Sequence, residues 1–138
     1  MDNQLIIPFL EELELEALDE NVDQTISNLL LDWEKIKIEL ETLYRNRDQK
    51  STVQGMKKGI GLFIQFLYLS NNRRINSKES ISINQLEITP VNLDERLAYI
   101  LSRPNLFHSY RQLSELMTEQ AKQYAKKNIV KKRLSQKG

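Results

Sequence analysis

The stretch Thr25-Ile26-Ser27-Asn28-Leu29-Leu30-Leu31-Asp32-Trp33-Glu34-Lys35-Ile36-Lys37-Ile38-Glu39-Leu40-Glu41-Thr42-Leu43-Tyr44 decides the fold class. Ile26, Leu29, Leu30, Trp33, Ile36, Leu40, Leu43 and Tyr44 recur every three or four residues, the spacing of one face of an α-helix. Asp32, Glu34, Glu39 and Glu41 fall largely off that stripe, as a helix half-facing water requires. The pattern predicts a helix of about 20 residues with Asp23 or Thr25 as N-cap, ending near Arg45 to Asp48.

The same period recurs on both sides of this segment. Leu5, Ile6, Phe9, Leu10 and Leu13 mark an N-terminal helix, with Pro8 in its first turn or interrupting it. Met56, Ile60, Phe63, Ile64, Leu67 and Tyr68 mark a third helix, starting at about Val53 or Met56 and ending at Ser70. Leu62, Phe66 and Leu69 widen its apolar arc, so it is expected to be the most buried. Gly55, Gly59 and Gly61 each cost up to about 1 kcal/mol in a helix interior relative to Ala. They are read as sites of close helix packing, because no Walker or dinucleotide spacing accompanies them.

Residues 71–82 are polar, and Arg73 and Arg74 are expected to be exposed there. Ile81, Ile83, Leu86 and Ile88 alternate with polar residues, but a lone strand has nothing to pair with, so a loop with one short helical turn is predicted. A short fourth helix, capped by Asn92 and carrying Leu93, Leu97, Ile100 and Leu101, must end near Arg103 because Pro104 follows. Asn105 or Ser109 can cap the last helix, whose stripe runs through Tyr110, Leu113, Leu116, Met117, Ala121 and Tyr124. The expected architecture is all-α, a single-domain bundle of about five helices without a sheet and with a polar loop near residues 71–83. Residues 1–124 form the helical domain, and residues 125–138 form a basic helix end or a disordered tail.

The chain of 138 residues is 40% hydrophobic with a net charge of +1, enough for a core of its own. That small net charge hides a strong asymmetry. Residues 1–44 hold 12 acids against Lys35 and Lys37, whereas residues 45–138 hold 18 bases against 7 acids. After Glu119 no acid occurs, while Lys122, Lys126, Lys127, Lys131, Lys132, Arg133 and Lys137 follow. Such an end suits polyanions or an acidic protein face. The alternative is that the two halves face each other within the fold, or that the basic end complements a helix macrodipole.

No Cys and a single His exclude a disulfide framework, a thiol nucleophile and a thiolate metal site, and no Glu-x-x-His pattern accompanies the acids. No metal and no cofactor is expected. The longest apolar run, residues 59–69, is about half of the roughly 20 residues of a membrane span, and the N-terminus lacks a basic signal-peptide region. A cytoplasmic protein with no membrane partner is the expectation.

Side chains able to do chemistry gather at one place, residues 102–111 at the helix break. Arg103 and Arg111 there can hold an anion, and His108 can exchange a proton near neutral pH. Ser102, Ser109 and Tyr110 show no spacing of a catalytic set, and His108 and Tyr110 can equally be helix-start residues with satisfied polar tips. The reading is a non-enzymatic interaction module whose protein partner meets Arg103, His108, Tyr110 and Arg111. The second reading is a nucleic-acid-binding accessory protein using Arg73, Arg74, Lys126, Lys127, Lys131, Lys132 and Arg133 as phosphate contacts. A homodimer pairing the acidic N-terminal helix of one copy with the basic C-terminal helix of another is a further expectation.

Val91-Asn92-Leu93-Asp94-Glu95-Arg96-Leu97-Ala98-Tyr99-Ile100-Leu101-Ser102-Arg103-Pro104 and Phe107-His108-Ser109-Tyr110-Arg111-Gln112-Leu113 resemble the YpoC-like family of small proteins of the Bacillus group. Phe63-Ile64-Gln65-Phe66-Leu67-Tyr68 and Leu30-Leu31-Asp32-Trp33 are similar to that family's earlier segments, so the resemblance covers about residues 25–127. It implies a helical cytoplasmic bacterial protein, and it brings no activity, cofactor or site residue with it.

Overall fold

The computed structural model describes residues 4–5, 21–73 and 81–136. Four α-helices carry most of these residues: α1 (Val22–Arg45), α2 (Gln49–Ser70), α3 (Leu93–Ser102) and α4 (Phe107–Gln136). The all-α class stands, with four helices among the described residues where about five were expected. Leu5 of the N-terminal stripe lies in a short strand, and the rest of that expected helix lies outside the described residues. The expected absence of any sheet is corrected as well. β1 (Gln4–Leu5) pairs antiparallel with β2 (Ile81–Ser82), Gln4 opposite Ser82 and Leu5 opposite Ile81. The N-terminus supplies the partner that local sequence could not, and the expected helical turn follows at once as a 3₁₀ helix, Ile83–Gln85.

Local chemistry sets the helix ends, at positions partly different from those expected. Asn21 caps α1, ahead of Asp23, its side chain accepting from the Gln24 N–H at 3.1 Å. Asp48 does the same for Ser51 at 3.1 Å, so α2 starts well before Val53. Asn92 precedes α3 as expected, but with φ 54° and no side-chain cap bond. Neither Asn105 nor Ser109 caps α4; the Ser109 hydroxyl donates to the Arg103 carbonyl at 2.6 Å.

The C-termini of α1 and α2 end alike. Arg47 N–H donates to Tyr44 O and Asp48 N–H to Leu43 O, while Asn72 N–H donates to Leu69 O and Arg73 N–H to Tyr68 O. These are two Schellman caps, each needing one residue with positive φ, the position glycine usually takes. Arg47 (φ 58°) and Asn72 (φ 56°) hold it here.

α2 is the central helix, as its broad apolar arc predicted. Met56, Ile60, Phe63, Ile64 and Phe66 are fully buried. α1 lies along it, and the glycines allow the approach. A Cβ on Gly55 would stand 2.8 Å from Leu40 Cδ2; one on Gly59 would stand 2.8 Å from Trp33 Cζ3 and 3.1 Å from Leu113 Cδ2 of α4. Gly59 is therefore the point where three helices converge. α4 is antiparallel to α1, with Tyr110 reaching Glu41 at one end and Tyr124 reaching Asp23 at the other. At about 1.5 Å per residue the 30 residues of α4 outrun α1 and α2, so its basic last turns extend past the bundle. Between α1 and α4 lies a groove of about 530 Å³, its walls including Ile26, Leu30, Phe66, Tyr124, Lys131 and Lys132.

Candidate functional site

The antiparallel packing of α1 on both α2 and α4 brings two turns together at one end of the molecule. The Tyr44 hydroxyl, at the end of α1, donates to the Leu106 carbonyl at 3.0 Å, just before α4. Its ring meets Phe107 edge-on at 5.3 Å and Tyr110 at 5.7 Å, and Tyr110 in turn packs near Trp33 at 6.5 Å. An aromatic column thus ties the α1–α2 turn to the α3–α4 turn. Burial, with the neighbouring Tyr110 adding to it, pushes the Tyr44 hydroxyl up to about 12. Burial and the hydrogen bond to Glu41 bring Tyr110 up to about 12 as well. Both hydroxyls are donors throughout the neutral range.

The four residues expected to meet a protein partner part company here. Tyr110 is only 5% exposed and gives its hydroxyl to Glu41 at 2.8 Å, so it props the turn from inside. Arg103 and His108 are exposed and flank Tyr99: the guanidinium lies 5.1 Å from the ring centre, and the imidazole stands nearly perpendicular to the ring with centres 5.4 Å apart. Arg111 is exposed one turn into α4. His108 has no hydrogen bond to a carboxylate among the described residues, and Ser109 is buried under the turn.

Beside these stand residues that sequence reasoning passed over. Leu106 and Phe107 are 39% and 51% exposed at the tip of the turn. Arg45, Arg47 and Lys50 are exposed on the adjoining turn. Among the described residues, no carboxylate lies within ion-pair distance of Arg45, Arg47, Lys50, Arg103 or Arg111. Two arginines within Arg45-Asn46-Arg47 were the available signal, but residues 46–54 read only as a polar connection.

The set expected to meet nucleic acid is dispersed. Arg73 is exposed at the end of α2, and Arg74 lies outside the described residues. Lys127 is half-buried and donates to the Ser70 carbonyl at 3.1 Å, with Glu87 at 3.9 Å, so it serves the fold. Lys126, Lys131, Lys132 and Arg133 are exposed along the end of α4, interspersed with Ile129 (53% exposed), Val130 (49%) and Leu134 (67%). Among the described residues no three His, Asp or Glu side chains gather to hold a metal ion, and no helix is long and apolar enough to cross a membrane.

Comparison with known proteins agrees with the resemblance seen in residues 30–33, 63–68 and 91–113. The Bacillus subtilis (strain 168) protein named "Uncharacterized protein YpoC" is 26% identical over 126 residues, covering 90% of this chain and 77% of that relative. No solved structure matches. The family model described as YpoC-like protein matches residues 23–132, from the first turn of α1 to the last turns of α4, and the chain belongs to that family.

Proposed function

We propose that the chain is a non-enzymatic helical interaction module that docks a protein partner through the end where the α1–α2 and α3–α4 turns meet. The observation that carries this reading is the pair Leu106 and Phe107, exposed beside the Tyr44 ring where the Tyr44 to Leu106 hydrogen bond joins two turns whose cations form no ion pair among the described residues. Aromatic and Arg side chains held rigidly are the typical anchors of protein interfaces. His108 without a carboxylate partner among the described residues favours recognition over proton transfer at this end. A photo-crosslinking amino acid at position 107 of the full chain, expressed in a Bacillus host, tests it. One discrete protein adduct at 107, missing from the same substitution at exposed Lys58, is the expected result. No adduct at 107 counts against it.

A second reading, nucleic-acid binding, draws support from the exposed bases on the extension of α4 past Tyr124. Its test is the salt dependence of DNA and RNA binding by the full chain, with Lys126, Lys131, Lys132 and Arg133 exchanged for Gln as control. Each phosphate contact lowers log K by about 0.9 per log unit of salt. Binding without that slope, or unaltered in the control, refutes it.

A further inference from the structure

Of the three described non-glycine residues with positive φ, two are Asn72 and Asn92, which tolerate the left-handed region; the third is Arg47 at φ 58°. A cation stands in the glycine position of a Schellman cap, where its backbone is disfavoured and its side chain makes no ion pair among the described residues. Packing does not explain it, since Arg47 is exposed. Its surroundings are Arg45 and Lys50 on its own turn and, across the Tyr44 to Leu106 hydrogen bond, the turn that bears Arg103 and Phe107.

Resting on the docking reading above, we infer the chemistry of the partner: an acidic peptide segment with one apolar side chain, seated on Leu106 and Phe107 with its carboxylates on Arg45, Arg47, Lys50, Arg103 and Arg111. Cations that form no ion pair among the described residues call for negative charge, and the seat calls for an apolar anchor. Three features favour a peptide over a nucleic acid. Leu106 offers nothing to a base. Phe107 is one half-exposed ring packed beside Tyr44 and Tyr110, not the row of aromatic platforms on which single-strand binding stacks successive bases. Asp48 and Glu41 lie on the same stretch of chain as Arg45 and Arg47, and a phosphate at every nucleotide has less freedom to avoid them than carboxylates spaced along a peptide.

Fluorescence anisotropy on the full chain provides the test, with labelled 12-residue peptides: one rich in Glu with a central Phe, one of equal charge with Ser for that Phe, and one with Gln for every Glu. A 12-nucleotide single strand and a 12-base-pair duplex complete the set. The acidic peptide with Phe should bind, and each control peptide should bind at least about tenfold more weakly. Phe107→Ala should weaken binding about tenfold or more. Arg47→Gly should weaken it several-fold while raising Tm, because glycine is at ease in that backbone; loss of binding then cannot be laid to loss of fold. If the Gln peptide binds as well as the acidic one, the acidic chemistry is wrong while docking of protein survives. If the nucleic acids bind more tightly than any peptide and lose affinity in Phe107→Ala and Arg47→Gly, both readings fall together. Absence of binding by every peptide at low salt overturns the inference.

Discussion

The two ends of the bundle close their helices in the same way and then put different side chains around the cap. At the end formed by the α2 terminus, Asn72 fills the left-handed cap, and Asn71 and Lys127 beside it tie the chain together. Asn71 donates to the Leu67 and Ile88 carbonyls and accepts from the Ile88 N–H at 2.7 Å, while Lys127 holds the Ser70 carbonyl. On the α3 side of the same region, Arg96 makes a fork to Glu119, at 3.1 and 2.6 Å. At the other end Arg47 fills the equivalent cap, and Arg45, Arg47, Lys50, Arg103 and Arg111 face water with no carboxylate paired to them among the described residues. One end uses its buried and half-buried polar groups to hold residues 86–90 to the helices, with Arg73 and the basic end of α4 exposed beside them; the other sets its exposed cations around the apolar pair Leu106 and Phe107.

If the first end is structural, Asn71→Ala should be the most damaging of the single substitutions at either end. It strips the Ile88 N–H of its partner in a half-buried site, and a cost of about 2–4 kcal/mol is expected in a denaturant titration. A cost below about 1 kcal/mol would erase the contrast. Between the ends, Gly59→Ala sets a gain in helix propensity of about 1 kcal/mol against a clash with the rigid Trp33 ring and with Leu113. A net loss of about 1–2 kcal/mol is expected. Gly55→Ala meets the aliphatic side chains of Leu40 and Leu43, which yield more easily than an indole ring, and should cost less than Gly59→Ala; equal losses at both positions would contradict the convergence of three helices at Gly59.

The caps themselves provide a smaller and sharper comparison. Arg47→Gly should stabilise the chain by about 0.5–1 kcal/mol, the relief of left-handed strain less the extra freedom of unfolded glycine. Asn72→Gly should gain less, because Asn already tolerates that region. Thermal unfolding of the two variants side by side decides it, and an equal gain would mean that Arg47 carries no strain beyond that of Asn72.

The smallest effect is a matter of pH. Tyr44 and Tyr110 at the exposed end, and Tyr68 within α2, ionise at about 12 in the fold against 10.0 for the free side chain, burial being the main cause. A folded value above the unfolded one means that the associated stability is whole below pH 10 and is lost as pH rises from 10 to 12. Ultraviolet titration should show a late-ionising tyrosine class that shrinks in Tyr44→Phe and merges with the rest on unfolding. A single class near 10 in the folded chain would break the aromatic column.

Much of this was legible in local pattern. The stripes of residues 26–44 and 56–70 located α1 and α2, and the breadth of the second marked it as central, because a helix apolar on most sides has to be covered. The helix boundaries were read less well. Asn21 and Asp48 were available as caps, yet caps are chosen by which backbone groups tertiary packing leaves open, and apolar spacing begins only where burial begins. The site was half visible. Arg103, His108 and Arg111 stood out in one segment, but Arg45, Arg47 and Lys50 join them only through Tyr44 and Leu106, which are 62 residues apart.

By itself, then, the amino-acid order determined the helical class, the burial of α2, the break at Pro104 and the asymmetry of charge, since each depends on neighbours within a few turns. Tertiary structure alone decided that Tyr110 turns inward and Phe107 outward, that Lys127 serves the fold while Arg47 faces water, and that two turns distant in sequence form one surface. Those outcomes depend on the direction in which α1 and α4 pass each other, and no periodicity along a single chain records how separate helices cross.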